Sequence, residues 1–157
     1  MDNKTFLVIR IRGGLDTPYY IEDTLKMLRI EKNNYATLLR ESPSYIGMLR
    51  KAKDYITWGE LSIETLRLIL EKRGKLEGDE SITDKSLASL GYENIDKLTQ
   101  SIYSGELDFN QLKGIKPFFR LHPPKRGFKR TVKRPFKNKG ELGYRGEAID
   151  ELVRRMS

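Results

Sequence analysis

The residues with the clearest chemistry lie in one stretch, residues 113–140, which we call the basic segment. It holds 11 Lys and Arg and no Asp or Glu. The other 19 of the chain's 30 Lys and Arg are outnumbered by its 22 Asp and Glu, so the formal net charge of +8 comes entirely from this segment. A block of like charge repels itself unless a polyanion neutralises it. A solvated basic loop is the alternative, and a nucleic acid partner is the favoured interpretation.

Aromatic rings alternate with these cations, which points to RNA. Lys and Arg neutralise phosphates and release counterions, while guanidinium planes and Phe rings stack on unpaired bases. Basic pairs recur at 125/126, 129/130 and 133/134, a helical spacing, but Gly127 and Pro135 favour an extended course. If about half of the 11 cations contact phosphate, the logarithm of affinity falls with that of salt with a slope of roughly −5.

The remaining cationic candidates lie outside the basic segment. Arg12 stands beside the Gly13-Gly14 turn that ends the first strand, and Arg50, Lys51 and Lys53 give the second helix a basic side.

Of the four Phe rings in the segment, we expect Phe118 and Phe119 to anchor it on the protein and Phe128 and Phe136 to lie nearer RNA. The residues predicted to contact RNA are Arg12, Arg50, Lys51, Lys53, Arg120, His122, Lys125, Arg126, Phe128, Lys129, Arg130, Lys133, Arg134, Lys137 and Lys139.

Catalytic and metal chemistry find little support in the chain. His122 is the only histidine, and no carboxylate lies within 13 residues of it, whereas a general base needs an orienting acid. There is no cysteine, which excludes disulfides and cysteine-based metal sites. Arg12-Gly13-Gly14 is too short for a nucleotide-binding fingerprint. We therefore predict no catalytic site, no metal, no cofactor and no small-molecule substrate.

Composition sets the broad class of protein. A chain of 157 residues forms one ordinary domain or a small domain with an appendage. Hydrophobic residues make up 38% and charged residues 33%, which indicates a modest core under a large solvated or ligand-facing surface. No apolar run approaches the roughly 20 residues of a membrane span, and the N-terminus lacks a signal-peptide pattern. The expectation is a soluble intracellular protein without a membrane partner.

The elements that must position these residues begin with a strand-helix-strand-helix-strand unit over residues 1–61. Aliphatic runs at 6–12, 35–40 and 55–61 predict strands, and Thr17-Pro18 and Ser42-Pro43 are typical helix starts. Both helices are amphipathic. We therefore predict an α+β fold with a three-stranded, mostly antiparallel sheet and two helices on one face, a ferredoxin-like arrangement.

Two further units follow in the chain. Residues 62–112 predict a helical insert of three helices, with Ser62 and the capping-box-like Ser81-Ile-Thr-Asp84 as starts. From Gly114 onward, Pro and Gly residues disfavour regular structure, and residues 145–156 recover helical spacing. The third unit, 113–157, is therefore predicted to be a basic loop held at both ends and closed by a short helix, largely disordered without RNA.

These parts together resemble a known family. Ser42-Pro-Ser-Tyr-Ile-Gly-Met48, Arg120-Leu-His-Pro-Pro-Lys-Arg-Gly127 and Gly140-Glu-Leu-Gly143 are similar to the long archaeal form of the large-subunit ribosomal protein L-thirty family, related to eukaryotic L-seven. The resemblance covers essentially the whole chain. One departure is Ile46, where the short bacterial form usually has arginine, which leaves Arg50 or Lys51 as candidates for that phosphate contact.

The resemblance implies a non-enzymatic constituent of the large ribosomal subunit, in the cytoplasm. Its expected partners are large-subunit rRNA, close to 5S rRNA, and neighbouring large-subunit proteins. Its expected role is to stabilise folded rRNA in translation and subunit assembly. The alternative is a free-standing RNA-binding regulator that uses the same basic segment outside the ribosome.

Overall fold

The computed structural model of the protein describes residues 5–14 and 16–157, so residues 1–4 and Leu15 of the predicted 1–61 unit lie outside the described residues. Strands and helices alternate first and helices then follow one another, as predicted. The elements are β1 (Thr5–Arg10), α1 (Tyr19–Met27), β2 (Tyr35–Arg40), α2 (Pro43–Lys51), β3 (Ile56–Glu60), α3 (Ile63–Arg73), α4 (Asp84–Ser89), α5 (Ile95–Tyr103), β4 (Phe119–Arg120), β5 (Thr131–Pro135), β6 (Gly140–Tyr144) and α6 (Ile149–Met156).

Among the described residues the sheet contains six strands rather than the predicted three, in the order β4-β2-β1-β3-β6-β5. Its centre is the predicted unit, since β1 pairs antiparallel with both β2 and β3. The basic segment and the residues just after it supply the additional strands: β4 pairs antiparallel with β2 at one edge, and β6 pairs parallel with β3 toward the other. The α+β class and ferredoxin-like centre are confirmed, and the strand count was wrong.

Helices cover both faces of this sheet. Leu25 of α1 and Leu49 of α2 pack with Val8 on one face, which confirms the predicted placement of the first two helices. The neighbouring Leu7 and Ile9 join the other face, where α3, α5 and α6 pack. Because successive side chains of a strand point to opposite faces, an unbroken apolar run such as β1 requires cover on both sides. The helical insert provides much of the second cover.

The observed helix starts agree in part with those predicted from the sequence. The Ser42 side chain caps α2 by accepting a hydrogen bond from the amide three residues on, at 3.2 Å, as predicted. Helix α1 begins one residue later than expected: Pro18 is its N-cap, and the Thr17 hydroxyl accepts from the Gly14 amide at 2.9 Å instead. The capping box of α4 is formed by Thr83 rather than by Ser81. These are corrections of one or two residues.

The prediction of irregular structure from Gly114 onward was wrong for β5 and β6. These strands pair in parallel, with Thr131 opposite Gly140 and Pro135 opposite Leu142. Gly140 permits this pairing, because a Cβ there would lie 1.8 Å from the carbonyl oxygen of Arg134. The prediction treated Pro and Gly only as residues that interrupt secondary structure. It therefore missed the β5–β6 pairing, which depends on a close approach of the two backbones.

The C-terminal helix begins at Ile149, later than the predicted residue 145, because Gly146–Ala148 form a 3-10 turn against β3. Gly59 allows that approach, since a Cβ there would lie 2.0 Å from the Gly146 carbonyl oxygen. Four apolar residues of α6 are buried in the core. Of the helices within residues 5–14 and 16–157, none is long and apolar enough to cross a bilayer.

Candidate nucleic-acid interface

The basic segment runs from one edge of the sheet to the other, from β4 to β5. Between these strands it is held by α6. The His122 amide donates to the Met156 carbonyl at 3.2 Å, and the Lys125 amide donates to the Arg155 carbonyl at 3.0 Å. The Arg155 guanidinium returns hydrogen bonds to the carbonyls of Lys125, at 3.0 Å, and of Gly127. The C-terminal helix therefore fixes the middle of the segment through backbone groups and leaves its cationic side chains outside.

Some cations of the segment pair with surface carboxylates. Lys129 contacts Glu151, and its hydrogen bond followed by its charge lowers the pKa of that carboxyl. Lys116 lowers the pKa of Asp79 in the same way, and the Arg120 guanidinium lies 3.5 Å from that carboxylate. Exposed pairs of this kind contribute little to stability, so a phosphate can replace the carboxylate at small cost.

Eight cations of the basic segment are exposed and form no ion pair among the described residues: Lys113, Lys125, Arg126, Arg130, Lys133, Arg134, Lys137 and Lys139. Four of them lie within β5, within the 3-10 turn that follows it or directly after that turn. These four, which we call the free cations, are Lys133, Arg134, Lys137 and Lys139. Their charges face solvent along one edge of the sheet, the geometry a nucleic acid backbone needs.

Two of the four Phe rings anchor the segment on the protein. Phe119 is fully buried and stacks on Phe109 with a centroid distance of 5.0 Å and an interplanar angle of 18°. Phe118 stacks on Tyr35 at 5.2 Å and 9°. Both rings occupy the structural positions expected for them.

The other two rings are half-buried rather than free. Phe128 packs against the apolar core on the α3/α5/α6 face. Phe136 has two guanidinium groups near its ring, with Arg130 at 4.9 Å and Arg145 at 5.0 Å from the centroid. Phe136 thus links a solvent-facing cation of the segment to a buried one.

Arg145 is the buried member of that group and was absent from the predicted contacts. Its Nε donates to the Thr57 hydroxyl at 2.8 Å, and its Nη2 donates to the backbone carbonyl of Glu141 at 2.5 Å and to its carboxylate at 3.1 Å. Burial lowers the pKa of Arg145, while the Glu141 charge opposes that shift. These bonds hold β6 against β3 beneath the basic segment. The sequence carries no signal that separates this arginine from exposed ones.

The end of β1 brings Arg12 to the basic segment. Its guanidinium lies 5.4 Å from the centroid of the Tyr55 ring, and its Nη1 donates to the Val132 carbonyl at 3.5 Å. Arg10, two residues earlier, is buried instead and donates to the Glu22 carboxylate at 2.6 Å. Of these two arginines, only Arg12 stands near β5.

The three cations after and within α2 are exposed, but they differ in their surroundings. The Lys51 ammonium lies 5.8 Å from the centroid of the Tyr20 ring, and Arg50 faces solvent on the same helix. Lys53 lines a cleft of about 320 Å³ whose opposite rim includes Lys137 of the basic segment. The structure therefore brings Lys53 and Arg12 to the segment.

Comparisons with known proteins agree with this architecture. The family model described as "Ribosomal protein L30p/L7e" matches residues 6–56, which span β1 to the start of β3. A protein of Staphylothermus marinus named large ribosomal subunit protein uL30 is 47% identical over 96% of this chain and 97% of its own length. Proteins of the same name from Methanobrevibacter smithii and Aeropyrum pernix are 47% and 44% identical, over 96% of this chain and 99% and 98% of their lengths.

Proposed function

The chain belongs to the ribosomal protein L30p/L7e family, and from that premise we propose that it is a structural constituent of the large ribosomal subunit that binds and stabilises folded large-subunit rRNA. The observation that carries the proposal is near-full-length similarity to relatives named large ribosomal subunit protein uL30. A member of this family is a non-enzymatic part of the ribosome and acts where ribosomes do, in the cytoplasm. Its partners are rRNA and neighbouring large-subunit proteins.

The free cations support the mechanism that we propose. Each phosphate contact releases condensed counterions, which makes binding favourable and dependent on salt. The sheet edge gives these cations a fixed arrangement, because β6 and α6 hold the basic segment through backbone hydrogen bonds. We propose that rRNA is recognised by this combination of charge and shape rather than by base sequence.

The predicted contact residues remain proposals of differing support. Arg12, Lys53 and the free cations stand together near β5, which favours a continuous interface. Arg120, Lys129 and Arg130 lie along the same segment with side-chain partners that RNA would have to replace or share, whereas the side chains of Lys125 and Arg126 are exposed. We propose that this surface faces rRNA close to 5S rRNA, as the resemblance of the chain implies.

We further propose a division of labour along the chain. Residues 1–61 form the ferredoxin-like centre, residues 62–112 cover its second face, and residues 113–157 carry most of the rRNA contact. The shared core of α3, α5, α6 and β1 supports cooperative folding of all three parts.

Sedimentation of a cell extract in moderate salt tests the ribosomal assignment. We expect the protein to co-migrate stoichiometrically with large subunits. Mostly free or sub-stoichiometric protein would favour a regulator outside the ribosome. Turnover of RNA by the pure protein, abolished in His122→Ala, would contradict a non-enzymatic role.

A charge variant links that association to the interface. Lys133→Gln with Arg134→Gln removes two free cations and should release the protein from subunits at lower salt. Lys72→Gln with Lys97→Gln removes the same charge from exposed positions on α3 and α5 and serves as the matched control. Equal release of both variants would argue against the β5 edge as the rRNA contact.

A further inference from the structure

A cleft lies between the end of α2 and the basic segment. Its floor is the β3–β6 part of the sheet, with Trp58 and Tyr144. Its rims carry Lys53 and Asp54 on one side and Lys137 on the other. The volume of about 320 Å³ is at the small end of ligand sites and suits one planar group rather than a strand.

The floor offers aromatic rings whose orientation is fixed. Tyr144 is 43% exposed, and its hydroxyl donates to the Glu60 carboxylate at 2.6 Å, so its ring is both accessible and held in place. Trp58 lies beside it, with centroids 6.3 Å apart and planes tilted by 48°. Phe136 at the rim is less available, because guanidinium groups lie near its ring. A planar ligand would therefore stack on the exposed ring of Tyr144 and contact Trp58 at an angle.

The rims offer unpaired charge. Lys53 and Lys137 are exposed and form no ion pair with any carboxylate among the described residues. Two such ammonium groups at the opening of an aromatic cleft favour a ligand that is planar at one end and anionic at the other. A nucleotide has both features, since its base stacks on aromatic rings while its phosphates bind Lys. An acidic peptide would satisfy the lysines but leave the aromatic floor unused.

We propose that this cleft binds a single unpaired nucleotide of the rRNA, with its base stacked on Tyr144 and in contact with Trp58, and its flanking phosphates held by Lys53 and Lys137. The proposal rests on the proposed rRNA-binding function and adds to it a site for an unstacked base. Asp54 at the rim can accept hydrogen bonds from amino or imino donors of the base edge. The cleft therefore gives the sheet domain an RNA contact of its own. Lys137 is the one free cation that takes part in it.

Fluorescence of the full chain tests this directly, because Trp58 is the only tryptophan. The probes are a labelled ten-nucleotide single-stranded RNA, a fully paired RNA hairpin, and inorganic polyphosphate, which has no bases. Anisotropy of the labelled RNAs measures binding, and Trp58 emission measures stacking. We expect all three polyanions to bind and only the single strand to quench Trp58 emission strongly.

Two variants sharpen the result. Lys53→Gln with Lys137→Gln keeps the reporter and should make the salt slope for the single strand less negative by about 1.4, at roughly 0.7 per lost contact. The matched control, Lys72→Gln with Lys97→Gln, should leave the slope unchanged. Tyr144→Leu should weaken single-strand binding by roughly 5- to 150-fold, the range for loss of one base–aromatic stack.

The outcomes separate this proposal from the one on which it rests. RNA binding without quenching, or equal quenching by paired RNA and polyphosphate, would overturn the nucleotide site and leave rRNA binding intact. Quenching that survives unchanged in the Lys53→Gln, Lys137→Gln variant with an unaltered salt slope would also overturn it. Failure of every RNA to bind in the anisotropy measurement would overturn both proposals.

Discussion

Arg145→Met should destabilise the protein far more than its place next to the basic segment would suggest. The arginine is only 8% exposed and Glu141 only 4% exposed. Methionine fills part of the same volume but donates no hydrogen bond. The Glu141 carboxylate then stays buried without the guanidinium that neutralises it, whereas the Thr57 hydroxyl keeps its own bond to the Gly143 carbonyl at 2.7 Å. The cost therefore falls on Glu141.

The magnitude follows from that unpaired charge. Removal of one partner of a buried ion pair costs about 3–5 kcal/mol, because the other charge remains desolvated. We take about 3 kcal/mol, since Glu141 can gain some solvent contact as Phe136 loses the guanidinium beside it. For a chain of this length, that loss corresponds to a fall in Tm of roughly 6–12 °C. It would also consume a large share of the typical 5–15 kcal/mol of folding stability.

Urea and thermal unfolding measure this change, with Arg50→Met as the control. Arg50 is exposed on α2, so the same substitution there should alter the free energy of unfolding by no more than about 0.5 kcal/mol. Adding Glu141→Leu to Arg145→Met should recover most of the loss, because a buried pair replaced by apolar groups is near neutral. A deficit below about 1 kcal/mol, or no recovery in the double variant, would refute the reasoning.

Three further predictions concern the basic segment and its surroundings. Gly140→Ala should displace β5 and weaken RNA binding without a change in net charge. Gly78→Ala is the control and should leave RNA binding unchanged, because a Cβ there meets nothing within 4 Å. Filter binding of rRNA compares the two variants. The Glu60 hydrogen bond raises the pKa of Tyr144 to about 12. The free energy of unfolding should therefore fall between pH 10 and 12, where this tyrosine ionises in the unfolded chain but not in the folded one. Glu60→Gln should reduce that fall, as measured by unfolding at alkaline pH. Without RNA, the amides of β5 should exchange faster than those of the central strand β1, because β5 is a mostly exposed edge strand, and equal protection of the two strands would contradict this.

Local signals were sufficient for the centre of the fold. Apolar periodicity and the Ser42-Pro43 start place β1 to α3 within a few residues of their bounds, because the elements pair with near neighbours in sequence. The edge strands gave no such signal. β5 is mostly exposed and has no alternating pattern, and its partner β6 joins β3 across more than 80 residues. Gly140 is informative only once the approach of Arg134 is known.

The residues of the candidate interface were likewise predictable from the sequence only in part. Charge counting found the basic segment, since net charge is a property of composition. Charge counting alone does not separate Arg10 from Arg12. The position of Arg12 beside the Gly13-Gly14 turn singled it out. The structure places Arg12 at the basic segment, whereas Arg10 is buried and donates a hydrogen bond to Glu22. Charge counting also missed Arg145, whose role depends on burial by distant residues. Sequence predicts the amount of charge here, and only the fold predicts which charges are available.

That distinction bears on how rRNA binding should respond to mutation. In the proposed interface the free cations set the number of phosphate contacts and therefore the salt slope, whereas Arg145 and Gly140 set where β5 stands. Loss of a free cation should lower affinity and flatten the slope together. A charge-preserving change such as Gly140→Ala should lower affinity through misplaced contacts, and Arg145→Met should do so although Arg145 itself is turned away from solvent. If affinity depended on net charge alone, Gly140→Ala would bind RNA as well as the wild type, and the folded edge would be irrelevant to recognition.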